Sequence, residues 1–294
     1  MRIDLMGKPH NDKEVLGSLP KCSGHKFVIA GGKVIWIDDN GEKVENPDIT
    51  SISHHVFAGC DDIQKVVVPD SVKSIGNGAF WKCYNLTSVV IPSTVTSIGD
   101  CAFEDCTRLT SVVINEGVKS IGEQAFNGCR GITSMTIPST VCNIGDYAFC
   151  DCTGLTSVTL IYGVKKIGKG AFHGCNSLTS VNIPNSVKSI GNYAFRCCWG
   201  LKSVTISNGV TNIGSCAFEN CKGLKSITIP ESVTSIWDSA FDGCIGLESV
   251  TIPYRVTSIE KYAFYCSGLK SIKVPKNCKI EKSAFPDNCN VIRY

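Results

Sequence analysis

Apolar residues recur along this chain with a constant step of 23 residues, and the step is clearest for phenylalanine. Of the twelve phenylalanines, only Phe27 lies outside one ladder, and Phe285 closes a copy that is two residues shorter. The other members of the ladder are Phe57, Phe80, Phe103, Phe126, Phe149, Phe172, Phe195, Phe218, Phe241 and Phe264. Columns of Leu and Val keep the same step, so the pattern predicts about eleven stacked units over residues 47–294.

Each unit reads L-x-S-V-x-I-P-x-x-V-x-x-I-G-x-x-A-F-x-x-C-x-x. In "LTSVVIP", buried-type residues alternate with Val90, which is the period of a strand that is half-buried on one face. Pro92 then ends that strand, and "VTSI" follows as a second short strand. After Gly99, Asp100 and its equivalents are suited to accept amides at the start of a helical turn, which carries Phe103 inward.

The period of 23 residues falls within the range of leucine-rich repeats. One such unit is too short to bury its apolar side alone, so it must stack on its neighbours. The sequence therefore predicts a repeat solenoid of the leucine-rich-repeat type, built mainly of short β-strands joined by short helical turns.

The first 46 residues do not carry the repeat. Residues 1–24 are polar and are interpreted as a lead segment. Residues 25–46 contain two apolar strands around Gly31-Gly32 and then Asn40-Gly41, which is a strong hairpin signal. They predict a β-hairpin or three-stranded meander that caps the first unit.

Charge and hydropathy exclude several function classes. Charged residues make up 19% of the chain and the formal net charge is +3, so no broad basic field is available for nucleic acid. No apolar run approaches the length of a membrane-spanning helix, which predicts no membrane insertion. The opening "MRIDLMGKPHNDKEVLG" lacks the apolar stretch of a signal peptide, so a cytoplasmic location stays open.

Eighteen cysteines raise the question of disulfides or metal. Nine of them form a column three residues after the ladder phenylalanines: Cys60, Cys83, Cys106, Cys129, Cys152, Cys175, Cys198, Cys221 and Cys244. Stacked side chains that point the same way are poorly directed for a disulfide dihedral, so the column predicts free, buried thiols. Zinc would require converging ligand pairs that the sequence lacks, and free thiols favour a reducing compartment.

No catalytic constellation is recognisable in the sequence. A nucleophile beside a base, paired carboxylates and a phosphate-binding glycine loop are all missing from the pattern. The interpretation is therefore a protein that is not an enzyme, with no cofactor, no metal and no catalytic residue.

Recognition in a solenoid is expected where the units differ, because the repeated slots are committed to the core. Aromatic residues outside the ladder, together with Arg, are the types that dominate binding hot spots. The partner-binding candidates are Tyr147, Tyr162, Tyr193, Arg196, Trp199, Lys202, Trp81 and Tyr84. The alternative for each aromatic residue is that it fills a gap between turns and contacts no partner.

With its unit laid out, the chain resembles the BspA-like, or treponemal-type, leucine-rich-repeat family over about residues 44–294. The resemblance implies the solenoid fold and carries no catalytic motif. Members of this family are commonly surface or secreted proteins, and several are thought to be adhesins that bind extracellular-matrix proteins or other cells.

The resulting hypothesis is a non-catalytic protein-binding module, adhesin-like and located at the cell surface or secreted. Its partner would be an extracellular-matrix or cell-surface protein, and a glycan is also possible. The alternative is an intracellular scaffold that docks the producer's own proteins, which the abundant cysteines and the polar start favour.

Overall fold

A computed structural model describes residues 21–22, 25–30, 33–37, 43–44 and 49–294. The chain begins with β1 (Lys21–Cys22), β2 (His25–Ala30) and β3 (Lys33–Ile37), which form an antiparallel meander. The hairpin predicted around Gly31-Gly32 is the connection between β2 and β3. The strand predicted after Asn40-Gly41 falls largely outside the described residues, while β1 lies within the predicted lead segment.

From residue 49 onward the chain winds into stacked coils, each with one short strand, one turn segment and one long strand. The short strands form a single parallel sheet of eleven, in register with a step of 23 residues except for the last pair, where the step is 21. They are β4 (Ser51–Ile52), β6 (Ser74–Ile75), β8 (Ser97–Ile98), β10 (Ser120–Ile121), β12 (Asn143–Ile144), β14 (Lys166–Ile167), β16 (Ser189–Ile190), β18 (Asn212–Ile213), β20 (Ser235–Ile236), β22 (Ser258–Ile259) and β24 (Lys279–Ile280). The predicted solenoid of about eleven units is confirmed.

The long strands stack in the same way on another side of the coil. They are β5 (Lys65–Val67), β7 (Ser88–Ile91), β9 (Ser111–Ile114), β11 (Ser134–Ile137), β13 (Ser157–Leu160), β15 (Ser180–Ile183), β17 (Ser203–Ile206), β19 (Ser226–Thr228), β21 (Ser249–Thr251), β23 (Ser271–Val274) and β25 (Asn290–Arg293). Strand β3 joins β5 in parallel, so the N-terminal meander extends this side of the solenoid. Strand pairing is interrupted between β9 and β11 and between β21 and β23.

The ladder phenylalanines form the centre of the core. Their rings stack with centroid separations between 5.0 Å and 5.4 Å and tilts of 12° or less. From Phe80 to Phe264 every ladder ring has no solvent exposure. Full burial of such a side chain stabilises the fold by about 1.5–3 kcal/mol, so the stack is a main source of stability.

The cysteine column lies beside the phenylalanine stack, and the prediction of free thiols is confirmed for the described cysteines. Cys83 Sγ donates to the carbonyl oxygen of Phe57 at 3.0 Å, and Cys244 Sγ donates to that of Phe218 at 3.1 Å. The cysteines between them repeat this contact, 26 residues back each time. The slot therefore holds a small apolar side chain that also satisfies a buried carbonyl.

The turn segments differ from the prediction of helical turns. In a helix every amide bonds within its own segment, whereas here alternate amides leave it. Phe103 N donates to Ala125 O of the next coil at 2.7 Å, and Glu104 N donates to Cys101 O of its own coil at 3.1 Å. This alternation produces consecutive tight turns. Among the described residues the structure contains no helix, and so none long and apolar enough to cross a membrane.

The acceptor role predicted for Asp100 is also different in detail. Asp100 Oδ1 accepts a hydrogen bond from Glu123 N at 2.8 Å, and Asn77 Oδ1 accepts one from Asp100 N at 3.0 Å. Each side chain therefore links one coil to the equivalent residue of the next coil instead of capping a helix. The hydrogen-bond acceptor was predicted at the right position of the repeat, but the amide that it binds lies 23 residues further along the chain.

Candidate binding surface on the turn segments

The outer side of the turn segments has an unusual backbone. In each coil, the residue two positions before the ladder Phe has a positive φ. Tyr147 and Tyr193 occupy this slot with φ of 54° and 59°, and Gly170 occupies it in the coil between them. A residue that carries a side chain costs roughly 1–2 kcal/mol in the left-handed region, whereas glycine adopts this conformation without that cost.

The two tyrosines are brought together across the intervening coil. A Cβ at Gly170 would lie 2.3 Å from Tyr147 Cε1, so the Tyr147 ring covers the space that the glycine leaves. The ammonium of Lys169 lies 5.6 Å from the ring centroid of Tyr147 and 5.9 Å from that of Tyr193. At such distances a cation is attracted to both ring faces, and the three side chains form one continuous surface.

Arg196 continues this surface and is tied to a carboxylate. Its guanidinium carbon lies 5.6 Å from the ring centroid of Tyr193. Nη2 donates a hydrogen bond to Glu219 Oε1 at 3.0 Å, and Nε lies 2.9 Å from Oε2. The side chain of Glu219 is only 14% exposed, so the pair orients Arg196 and neutralises a largely buried carboxylate. Burial, followed by the charge of Glu219, raises the pKa of Asp242 in the next coil.

Trp199 is the most exposed aromatic residue of the Phe195 coil, at 50%. It lies four residues after the ladder Phe, and the ammonium of Lys222 in the next coil is 5.4 Å from its ring centroid. Lys202 is also exposed and directly precedes β17, at the border with the long-strand side. The Tyr147, Lys169, Tyr193, Arg196 and Trp199 side chains are called the turn surface below.

Trp81 and Tyr84 lie in the Phe80 coil, near the N-terminal end of the solenoid. Their positions in the repeat are those of Arg196 and Trp199. Trp81 is half-buried, with Lys82 Nζ 4.4 Å from its ring centroid, and Tyr84 is 42% exposed. A groove of about 340 Å³ adjoins Trp81. Its lining residues are His55, Trp81, Lys82, Cys101, Glu104 and Asp105.

Tyr162 is placed apart from the other candidates. It is 68% exposed and lies in the connection between β13 and β14, at a different corner of the coil from the turn surface. Tyr254 has the equivalent position in a later coil and is 65% exposed. The structure thus brings Tyr147, Tyr193, Arg196 and Trp199 to one side and leaves Tyr162 on another.

Three residues that support this surface were missed by sequence reasoning. Glu219 and Lys222 each belong to the coil that follows the side chain they contact, and Lys169 lies in the coil between Tyr147 and Tyr193. The sequence contains the signal, because Glu219 and Lys222 lie 23 residues after Arg196 and Trp199. A search for charges one repeat after each aromatic or Arg residue would have found both.

The surface has no arrangement typical of a nucleophile or a metal centre. Burial raises the pKa of Cys83 and Cys244 to about 12, which keeps these thiols protonated and unreactive at neutral pH. Among the described residues, no group of three or more His, Cys, Asp or Glu side chains is placed to hold a metal ion. What the turn surface offers is aromatic faces, one oriented guanidinium and the ammonium of Lys169, which are features of recognition.

Stacked coils with a constant period, buried ladders and parallel strands define a leucine-rich-repeat solenoid. The sequence matches the profile of the BspA type leucine rich repeat region in six copies, with matches over residues 39–156, 73–200 and 188–294. The chain therefore belongs to the BspA-type leucine-rich-repeat family, as its repeat unit indicates. This family consists of repeat proteins that typically bind proteins and are generally non-enzymatic scaffolds.

Several solved structures are similar to this chain. A leucine-rich repeat protein from T. pallidum is 30% identical, with a TM-score of 0.55, over 61% of this chain and 85% of that one. One from Eubacterium ventriosum is 23% identical, with a TM-score of 0.53, over 92% and 94% of the two chains. A leucine rich cell surface protein from Faecalibacterium prausnitzii is 27% identical over 92% and 93%, with a TM-score of 0.45. No curated protein matches the sequence.

Proposed function

We propose that this protein is a non-catalytic binding module that acts as an adhesin-like protein at the cell surface or after secretion, and that its turn surface contacts a host or neighbouring-cell protein. The observation that carries the proposal is the continuous group formed by Tyr147, Lys169, Tyr193 and Arg196, bordered by the half-exposed Trp199. Family membership supports the protein-binding class, and the adhesin role follows the family resemblance.

The rings of Tyr147 and Tyr193 also support a binding role. The left-handed backbone is common to this slot in every coil, and Gly78 and Gly170 show that the slot needs no side chain, so what distinguishes the two tyrosines is the ring that they present. Their rings are large, rigid and amphipathic, and they lose little conformational entropy when a partner covers them. An extracellular-matrix protein is the partner class that we favour.

The second candidate function is an intracellular scaffold for the producer's own proteins. It is favoured by the free thiols, because Cys266 is exposed and a solvent-accessible thiol is prone to oxidation outside the cell. Protease shaving and antibody labelling of intact source cells distinguishes the two, with a known cytosolic protein as control. Protection of the protein until the cells are lysed would exclude the adhesin role and favour the scaffold.

The surface itself is tested by Trp199→Thr, because Thr107 and Thr153 occupy the equivalent slot in other coils and the fold accepts them. We expect the variant to bind immobilised extracellular-matrix proteins at least about tenfold more weakly, as for loss of a hot-spot residue. Its melting temperature should stay within a few degrees of the parent. Arg196→Ala is a poorer probe, since it leaves the carboxylate of Glu219 unpaired and would also reduce stability.

The matched control is Tyr254→Ser, which removes a similarly exposed aromatic residue from the corner where Tyr162 also lies. Binding should be unaffected by this change if the turn surface is the contact region. Equal losses in Trp199→Thr and Tyr254→Ser would count against that assignment. Loss in Tyr162→Ser alone would move the contact region to the corner between β13 and β14.

A further inference from the structure

A row of lysines lies on the short-strand side of the central coils, before the turn segments in each coil. It consists of Lys119, Lys165, Lys166 and Lys188, called the lysine row below, and all four side chains are exposed. The backbone places them in line along the axis: Lys165 N donates to Cys142 O at 2.7 Å, and Lys188 N donates to Lys165 O at 2.8 Å. Lys165 and Lys188 are therefore direct neighbours in adjacent coils, about 4.8 Å apart at the backbone.

The fold does not require lysine in this row. In five other coils the slot of Lys119, Lys165 and Lys188 holds threonine, whose hydroxyl can bond to a preceding coil, and in two it holds cysteine; Lys73 is a further lysine near the N-terminal end. Thr96 Oγ1 donates to Lys73 O and Thr211 Oγ1 donates to Lys188 O, both at 3.1 Å. A lysine gives up this bond and places a positive charge directly opposite another, which is destabilising in a sheet.

The charges of the row are not neutralised within the protein. None of the ion pairs among the described residues involves a member of the lysine row. The carboxylate nearest along the chain, Glu116, lies three residues before Lys119 and accepts hydrogen bonds from Ser139 and Thr140 at 2.9–3.1 Å. Glu123 and Asp146 follow the short strands beyond the Ile-Gly step, and Asp146 Oδ1 accepts the amide of Lys169 at 2.9 Å. A local rule is broken here without a compensating contact, which points to a ligand outside the chain.

We infer that the lysine row binds a linear anionic polysaccharide, one that carries sulfate or uronate groups along its length. The row is straight and its charges are spaced by one or two coils, so it matches a stiff polymer whose anionic groups recur in line. A pyranose ring is about as long as one coil is thick. The sugar units of the polymer can therefore follow the coils of the solenoid side by side. The small polar residues beside the row, Ser120, Asn143 and Ser189, offer hydrogen bonds to sugar hydroxyls.

Other polyanions fit the row less well. An extended acidic peptide presents side chains on one face every ~6.7 Å, which does not match steps of about 4.8 Å. Single-stranded nucleic acid is usually held by aromatic stacking together with basic groups, and the slots between these lysines hold only Ser, Asn and Cys. The row contains no Arg for paired contacts to phosphate.

The test uses heparin, a linear sulfated polysaccharide, with the full chain and its Lys165→Thr/Lys188→Thr variant. Threonine occupies this slot in five other coils, so this variant should fold and melt no lower than the parent. At about 0.15 M salt, where exposed charges still interact over ~8 Å, we expect the variant to bind labelled heparin at least about tenfold more weakly and with a shallower salt dependence. Desulfated heparin keeps its uronate carboxylates at a lower charge density, so it should bind the parent more weakly than heparin and still lose affinity in the variant.

The control variant is Lys270→Thr/Lys273→Thr, which removes the same charge from the C-terminal end on the long-strand side. It should keep heparin binding within about twofold of the parent, because its lysines lie outside the row. Equal losses in the two variants, or no binding of heparin by the parent, would overturn the inference. Equally tight binding of polyglutamate to the row would reassign it to an acidic protein segment and overturn the polysaccharide assignment.

Discussion

The turn segments have an inner and an outer side, and the two sides follow different rules. The inner side repeats Ala, Phe and Cys in nearly every coil, with rings that stack at 5.0 Å to 5.4 Å. The outer side changes from coil to coil, and the slot two residues before the ladder Phe holds His55, Gly78, Tyr147 or Cys216. Both sides use one backbone, so the difference lies in what each side chain must contact.

This comparison separates stability from recognition. An inner residue packs against the equivalent residues of the preceding and the following coil. A substitution in one coil therefore affects two interfaces between coils. An outer residue such as Trp199 lies against Lys222 of the next coil and leaves half of its surface exposed. The inner side therefore fixes the shape of the rod, and the outer side can vary to meet a partner.

The largest expected effect comes from alkaline pH, because it acts on the whole inner cysteine column. Burial raises the pKa of Cys83 and Cys244 to about 12, and raises that of Cys106, Cys129 and Cys221 as well. An unfolded thiol titrates near pH 8.5, so the unfolded state releases these protons first. The stabilisation is complete below that pH and is lost as pH rises towards the folded pKa.

We expect the free energy of unfolding to fall by roughly 1 kcal/mol per pH unit for each buried thiol between about pH 9 and pH 11. Urea denaturation under reducing conditions at several pH values measures this slope. The Cys83→Ala/Cys244→Ala variant has two fewer titrating groups and should show a smaller slope. An identical slope in parent and variant would contradict the role assigned to the cysteine column.

The next effect is that of one ring in the phenylalanine stack. Phe172 has no solvent exposure and stacks at 5.3 Å on both Phe149 and Phe195. Phe172→Ala should lower the free energy of unfolding by about 3–5 kcal/mol, because the cavity would be enclosed by coils on both sides. Tyr254→Ser, on the outside, should change it by less than about 0.5 kcal/mol in the same urea titration. Comparable losses would mean that inner and outer sides are not energetically distinct.

Much of the inner side could be predicted from the sequence, since a constant period determines which residues meet. The 23-residue step places Phe149 on Phe126 without any knowledge of the turn geometry, and the same holds for the thiol column. The stacking of equal residues in register is a property of the repeat itself. The solenoid, its number of coils and its buried columns were accessible in this way.

The turn geometry and the surface contacts could not be predicted in the same way. Local propensity suggested a helical turn after Gly99, but the amides of this segment bond to the next coil, which no local pattern reveals. The ring of Tyr147 covers Gly170 because of a left-handed backbone that tyrosine rarely adopts. Tyr162 has the same aromatic signal as Tyr147 in the sequence, but it lies in the connection between β13 and β14, at a different corner of the coil.

The smallest effect on stability tests the outer side directly. Tyr193 has a φ of 59°, and Tyr193→Gly relieves backbone strain while it removes the ring that lies under Arg196. The relief of about 1–2 kcal/mol is offset by the greater freedom of glycine in the unfolded chain and by the lost contact, so the free energy of unfolding should change by less than about 1 kcal/mol. Ser239→Gly, in the same slot two coils away, measures the backbone contribution without a ring.

If Tyr193→Gly unfolds much more readily than Ser239→Gly, the ring of Tyr193 is a packing element. If their stabilities match while Tyr193→Gly loses matrix binding as Trp199→Thr does, the tyrosine is retained for the partner.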